Sequence, residues 1–140
     1  LDTGAKMVHI GEDTSSIINT KSVSKGGGTN TYRSMVTVRE SAKRSKAFVS
    51  CQSLMLDSDS RSDTIPAMDI RTDDADIGHE AKIGRISDDA VFYLMSRGIS
   101  EDEARAMIVS GFANPVSKEL PLEYAVEMNN LIQLEMKGGM

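Results

Sequence analysis

The chain has 140 residues, of which 39% are hydrophobic and only 4% aromatic, with no tryptophan and a formal net charge of −5. An acidic chain has no basic excess with which to release counterions from phosphates, so nucleic acid is excluded as the main partner. The single cysteine rules out an internal disulfide, and no apolar run is long enough to span a membrane.

The chain opens on Leu1 rather than on methionine, in sequence that already reads as a strand. Its opening residues do not have the pattern expected of a signal peptide. We therefore expect a piece of a longer protein, located in the cytoplasm, or in a plastid if the source is a photosynthetic eukaryote.

Residues 1–86 consist of short apolar or alternating runs separated by polar, glycine-containing turns. Runs of this length with no helical pattern between them predict an all-β architecture, and sandwich, barrel and β-solenoid all fit. The turns mostly lack the Asn-Gly or Asp-Gly signature of two-residue hairpins, and the runs recur at a loosely regular interval, which favours the solenoid. The predicted strands are 7–10, 15–18, 32–38, 48–56, 64–70 and 76–83.

From Ser87 onward the pattern becomes helical, which predicts a β domain at residues 1–86 and a helical domain at 87–140. Ser87 precedes two aspartates, as a helix N-cap should. The stretch 100–103, Ser-Glu-Asp-Glu, fits a capping box and predicts a helix to about Gly111 that is broken at Pro115. A short helical turn is expected at 116–120, and a last helix at 122–136.

Three side chains of the β region are candidate metal ligands: Cys51, His79 and Glu80. Thiolate, imidazole and carboxylate are the ligand types that transition metals share. The competing interpretation is that Cys51 is a small buried hydrophobe, as most isolated cysteines are. His9, on an apolar run, is expected to be a core histidine rather than a ligand.

Several motifs occur in a fixed order: a C-x-S-L-x-L strand from Cys51, a T-I-P strand at 64–66, and His-Glu-Ala at 79–81. They precede FYLMSRGISEDEARAMIVSGF at 92–112 and ELPLEYAVE at 119–127. Over essentially its whole length the chain resembles the C-terminal part of the SufB/SufD family of iron–sulfur cluster assembly proteins. The Cys51 strand and the His-Glu-Ala motif favour the SufB branch of this family.

The resemblance implies a right-handed parallel β-helix followed by a small α-helical domain. Cys51, His79 and Glu80 match the family's site for the nascent cluster, whereas Gly78 stands where the family often has a further glutamate. The implied function is that of a non-enzymatic scaffold for de novo cluster assembly, carrying a transient iron–sulfur cluster and iron. The implied partners are the ABC-type ATPase SufC, which would supply the ATPase activity, the paralogue SufD, and a sulfur donor protein.

Strand alternation places Cys51 opposite Leu54 and Leu56, which favours a surface or interface thiol. On a regular strand His79 and Glu80 point to opposite faces, so only one of them can face Cys51, and the more polar face favours Glu80. One cysteine cannot saturate a cluster that needs about four ligands. We therefore expect a site shared with SufD or with a second copy of the chain in a homodimer.

The helical domain is where the family recruits SufC, so an apolar stripe of this domain is the candidate SufC-binding surface. Packing within the chain is the competing use of the same stripe. The stripe comprises Ile99, Ala104, Met107, Ile108 and Phe112.

Two other classes of function remain as rivals of the scaffold. One is a structural β-solenoid that only docks proteins, with Cys51 inert. The other is a β-helical enzyme such as a carbohydrate lyase, which is disfavoured because no strand stacks paired carboxylates with basic residues.

Overall fold

The computed structural model describes residues 1–137 and divides the chain into two compact units, residues 1–85 and the part from Ile86 onward. The first unit contains six strands and the second contains three helices. The predicted class, mainly β with C-terminal helices, is therefore confirmed.

Every strand predicted from the alternating runs is present, and most extend further than the apolar residues indicated. Backbone pairing continues into mainly polar residues, before the run in most strands and after it in β2, and hydrophobicity alone does not mark these residues. The strands are β1 (Asp2–His9), β2 (Ser15–Ser24), β3 (Thr29–Val38), β4 (Ser45–Met55), β5 (Arg61–Ile70) and β6 (Ala75–Arg85).

The strands form two three-stranded sheets, ordered β1-β3-β5 and β2-β4-β6, and all four pairings of the described strands are parallel. Strands that follow one another in sequence thus lie in different sheets. In the first sheet Asp2 pairs with Thr31, and in the second Ser15 pairs with Lys46. Paired positions are therefore about 30 residues apart, within the 20–45 residues of a typical solenoid repeat.

Side chains reinforce this stacking because many of their hydrogen bonds also join residues 31 positions apart. The Ser22 hydroxyl donates to Ser53 at 2.8 Å, and Lys21 Nζ donates to Gln52 Oε1 at 2.9 Å. At the turn between β2 and β3, the Gly26 N–H donates to the Asp57 carboxylate at 2.5 Å. Each repeat is thus tied to the next along the strands and at the turn.

The hydrophobic core lies between the two sheets, because its members come from the inward faces of both. Small β-branched residues dominate it, with isoleucines and one tyrosine packed around its rim. The buried members are Val36 and Val38 of β3, Ala42, and Ala47, Val49 and Cys51 of β4; Ile18, Tyr32, Ala75 and Ile77 pack against them.

The second unit contains α1 (Asp88–Met95), α2 (Glu101–Ser117) and α3 (Leu122–Lys137). Ser87 caps α1 by accepting the N–H of Ala90, and the predicted capping box at the start of α2 is complete. No helix among residues 1–137 is long and apolar enough to cross a membrane.

Helix α2 does not stop before Pro115, as the sequence predicted, but continues to Ser117. Proline removes one backbone donor and disturbs the carbonyl four residues earlier. Here it stands in the last turn, so little helix remains to be broken. The helix ends with the Asn114 carbonyl accepting from the Ser117 hydroxyl at 2.9 Å and from the Lys118 N–H at 3.1 Å.

A glycine in β1 is required by the close pairing of β1 with β3. A Cβ added to Gly4 would lie 2.3 Å from the backbone oxygen of Arg33, whereas a Cβ at Gly84 of β6 would meet nothing within 4 Å. We expect Gly4→Ala to lower the free energy of unfolding by about 1–3 kcal/mol, the usual range for overpacking. The matched control Gly84→Ala should leave it unchanged or slightly raised. Urea unfolding of both variants measures this, and equal stabilities would contradict the tight pairing.

Candidate functional site

Cys51 lies on β4 and faces the space between the sheets, where it is 2% exposed. The expectation of a surface thiol is therefore wrong for this chain. The predicted alternation of β4 side chains between two faces is present. However, the face that carries Cys51 also carries the buried Ala47 and Val49 and points inward, whereas Phe48 lies on the outer face and is 43% exposed. The sequence prediction took the face of Leu54 as the buried one, but Leu54 lies near the end of β4, where the strand approaches its turn.

His79 is brought to Cys51 by the register of β6. Val49 pairs with His79 and Cys51 with Ala81, so odd-numbered residues of both strands share the inward side. His79 therefore lies diagonally opposite Cys51, and its Nε2 is 3.8 Å from the Cys51 Sγ. The structure thus forms a thiol–imidazole pair from residues 28 positions apart.

Glu80 lies on the opposite side of β6, paired in register with Ser50. Its carboxylate forms an ion pair with Lys82, and its side chain is 40% exposed. The sequence was right that His79 and Glu80 cannot both face Cys51. Its preference for Glu80 is a wrong choice of face, because the inward side of β6 is the one that carries His79.

The pair supplies two donor atoms, a sulfur and an imidazole nitrogen, that suit iron or zinc. Among residues 1–137 no group of three or more His, Cys, Asp or Glu side chains is placed to hold a metal ion. An iron–sulfur cluster is normally held by about four ligands. The side chains of this chain therefore fit about half of a cluster site.

A cavity of about 310 Å³, lined mostly by hydroxyl-bearing residues, lies within the β unit. It is bordered by Thr20, which pairs in register with Cys51, and by Ser53, two residues further along β4. Ser53 accepts hydrogen bonds from the hydroxyls of Ser22 and Ser62, each at 2.8 Å. Cys51 thus stands at the boundary between the apolar core and a hydroxyl-lined interior.

Tyr32 borders both regions and was missed by the sequence reasoning. It packs against the core that contains Cys51, and it also lines the cavity. Burial raises the pKa of the Tyr32 phenol, and the charge of Cys51 raises this pKa further. Alternation does put Tyr32 on the same side of β3 as Val36, but only the packing of two sheets brings it near Cys51.

Gly78 makes room for an aromatic ring on the outer face of the second sheet. A Cβ at this position would lie 2.8 Å from Cδ2 of Phe48. A glutamate there would therefore have to displace the Phe48 ring. The glycine therefore lets the Phe48 ring cover this part of the outer face.

His9 is the other buried histidine candidate, and it is 3% exposed. Its two ring nitrogens lie 2.7 Å from the Thr14 hydroxyl and 2.8 Å from the Ser16 hydroxyl. Both nitrogens thus have hydrogen-bond partners, as expected of a core histidine.

The candidate SufC-binding residues differ in accessibility. Ala104 is fully buried, so within this chain it is a packing residue rather than a contact surface. Met107 is 50% exposed, and Ile108 and Phe112 of α2 are half-buried. Ile99 is half-buried and precedes the N-cap of α2, so it is not on the helix.

Two parallel sheets with alternating strands, an inward cysteine–histidine pair and a following helical unit define a mainly-β protein with a thiol–imidazole pair in its interior. The family model for the SUF system FeS cluster assembly SufBD core domain matches residues 1–112. The chain therefore belongs to the SufBD family of iron–sulfur cluster assembly proteins, and the predicted resemblance is confirmed.

Curated relatives extend the match to 99% of the chain. The iron–sulfur cluster assembly protein SufB of Bacillus subtilis is 51% identical over 138 residues, which make up 30% of its own length. A SufBD family protein of Mycobacterium leprae is 54% identical over 138 residues, which make up 16% of its length. A SufBD family protein of Staphylococcus saprophyticus is 51% identical and is covered over 30% of its length. The chain thus spans less than a third of the relatives it matches.

The geometry distinguishes the two neighbours of Cys51. Cobalt(II), titrated anaerobically, should give a thiolate-to-metal absorption band in the wild type and in Glu80→Gln, because the Glu80 carboxylate lies on the outer face. His79→Asn should weaken binding by more than the roughly 10- to 100-fold that loss of an outer-shell partner causes. The opposite ranking of the two variants would show that Glu80 turns inward when metal binds.

Proposed function

We propose that this chain forms part of a scaffold on which iron–sulfur clusters are built, with Cys51 and His79 as two ligands of the cluster that is its cargo. The observation that supports this most directly is the 3.8 Å contact between Cys51 and His79 inside the β unit of a SufBD family chain. In this role the chain is an assembly component that carries the cluster as cargo, and not an enzyme that turns over a substrate.

The chemistry required of Cys51 is that of a thiolate, which binds iron and takes up sulfur. His79 would bind iron through Nε2 as a neutral imidazole, since that nitrogen already points at the sulfur. Enclosure between two sheets excludes bulk water from the Cys51 sulfur. The two residues would thus start a cluster without completing its ligand set.

The missing ligands would come from a partner chain placed beside β6. This strand is last in the order β2-β4-β6, so a further strand could pair with its outer edge. His79 lies on β6, so the proposed ligands Cys51 and His79 lie close to that edge. We propose SufD as this partner, or a second copy of the chain, whose symmetric pairing would bring two Cys51 thiols together.

The strand arrangement supports a right-handed parallel β-helix as the complete architecture. Strands alternate between two parallel sheets, and paired positions recur after about 30 residues, as in solenoid proteins. Connections between parallel strands are right-handed in almost all proteins. The upstream repeats of such a helix would correspond to the larger part of the curated relatives that this chain does not cover.

The helical unit is proposed to bind the ABC-type ATPase SufC, which would supply ATP hydrolysis to the complex. Its accessible candidates are Met107 and, in part, Ile108 and Phe112, while Ala104 supports the helix from within. Methionine is suited to an adaptable contact because its side chain is flexible and polarisable. We propose that the complex works in the cytoplasm and receives sulfur from a donor protein.

Anaerobic reconstitution with ferrous iron and sulfide tests the scaffold directly. The wild type, together with its partners, should develop a visible iron–sulfur absorption that Cys51→Ser abolishes, because the thiolate anchors the cluster. Ser53→Ala is the matched control, since Ser53 lies on the same inward face two residues away, and it should retain the absorption. Identical spectra of wild type and Cys51→Ser would leave Cys51 a packing residue and favour the β-solenoid docking module.

The helical surface is tested by a charge placed on it. Met107→Asp should weaken SufC binding by about 2 kcal/mol or more, the size of effect that defines an interface hot spot. Met95→Asp on α1 is the control, because Met95 has comparable exposure at 41%. Titration calorimetry measures both, and a larger effect at Met95 than at Met107 would move the binding surface to α1.

A further inference from the structure

The Tyr32 hydroxyl is an unsatisfied polar group in the interior of the β unit. Its oxygen is buried and has no hydrogen-bond partner within the described residues 1–137. A buried hydroxyl without a hydrogen-bond partner is unfavourable, and native proteins rarely leave such a group unpaired. The residue therefore offers a free donor inside the molecule.

The surroundings of this donor suit a negatively charged sulfur. The side chains that line the cavity are mostly hydroxyl-bearing, among them Thr20, Ser53 and Thr64, and none of them is a carboxylate. Tyr32 also packs against the core cluster that contains Cys51, and the charge of Cys51 acts on the phenol. A sulfur atom bonded to Cys51 extends the side chain by about 2 Å. The negative charge of the persulfide would then lie on this added sulfur, about one S–S bond beyond the buried Sγ of Cys51.

We propose that Tyr32 is a positioning residue of the Cys51–His79 site, and that its hydroxyl donates a hydrogen bond to a persulfide sulfur carried on Cys51. The inference rests on the proposed function in one respect, namely that sulfur reaches Cys51. The ligand class is a sulfane sulfur supplied by a polysulfide or by a persulfide donor. The role of Tyr32 is to hold the terminal sulfur in place by a charge-assisted hydrogen bond.

The loading step is balanced as follows. The Cys51 thiolate attacks a sulfane sulfur of the polysulfide, a new S–S bond forms, and an S–S bond of the polysulfide breaks. The electron pair of the broken bond leaves with the shorter polysulfide anion. The Tyr32 proton stays on the phenol throughout, shared with the terminal sulfur on Cys51.

Sodium tetrasulfide is a suitable probe, because Cys51 is the only cysteine and the mass of one added sulfur reports on it alone. The chain is loaded anaerobically, freed of reagent, and followed by intact-mass spectrometry. Loss of the sulfur from Tyr32→Phe should be about tenfold faster than from the wild type, equivalent to about 1.4 kcal/mol. Thr64→Val is the matched control, because Thr64 pairs in register with Tyr32 and lines the same cavity.

Thr64→Val should lose sulfur at the wild-type rate, and the unfolding temperatures of all three proteins are compared to exclude a packing effect. Equal rates in wild type and Tyr32→Phe would overturn the proposal. So would an equally fast loss from Thr64→Val, which would reveal a general effect of cavity polarity. Absence of the adduct in the wild type would also overturn it, because no sulfur would then reach Cys51.

The iron–sulfide reconstitution separates this proposal from the function on which it rests. A Cys51-dependent absorption together with equal sulfur lifetimes would retain the scaffold and reject the role of Tyr32. A shortened lifetime in Tyr32→Phe without any iron-dependent absorption would retain the role of Tyr32 and reject the iron ligands.

Discussion

The parallel, in-register stacking of strands about 30 residues apart is the constraint on which the rest of the β unit depends. Residues that pair in register on neighbouring strands point to the same side of the sheet, inward or outward. Thr20, Cys51 and Ala81 form one inward column, and Ile18, Val49 and His79 form the next. A shift of one residue in the pairing of β4 with β6 would send His79 to the outer face and bring Glu80 inward. The chemistry of the site is therefore set by backbone pairing.

The local features of this fold could be predicted from the sequence because they depend on neighbouring residues. The six strands follow from apolar and alternating runs, and the start of α2 follows from the capping box at Ser100 and Glu103. Continuation of α2 through Pro115 could not be predicted, because the penalty of proline depends on how much helix remains after it.

The non-local features could be predicted only in part. Alternation showed that His79 and Glu80 point apart, yet it could not tell which face of β6 would be covered. That choice depends on the opposite sheet, whose Val36 and Val38 pack toward Val49 of β4. Tyr32 could not be predicted for the same reason, because it packs against the core that contains Cys51 across two sheets and not along one strand. The family resemblance named Cys51, His79 and Glu80 but did not rank them.

The interior changes from apolar to polar along the same inward faces. On β3, Val36 and Val38 belong to the core, whereas Tyr32 and Asn30 border the cavity. Buried hydroxyls are tolerated there because they satisfy one another, as Ser53 does with its serine neighbours. The ladders of backbone hydrogen bonds reduce the dependence of the unit on a large core. The Cys51 thiol can therefore lie at the edge of the hydroxyl-lined cavity while the β unit remains stably folded.

The proposed scaffold, with Cys51 and His79 as its only two internal ligands, would also provide the transient binding that cluster assembly needs. A complete ligand set within one chain would hold the cluster against transfer, since every ligand would stay in place together. If the remaining ligands come from a second chain, the ligands of the two chains act as one site only while the chains are joined. When the chains separate, the effective concentration of the second chain's ligands near Cys51 falls to almost zero. Release of the cluster then becomes a consequence of moving the partner away from β6. In the proposed scaffold, the position of His79 on the last strand of its sheet would make this coupling possible.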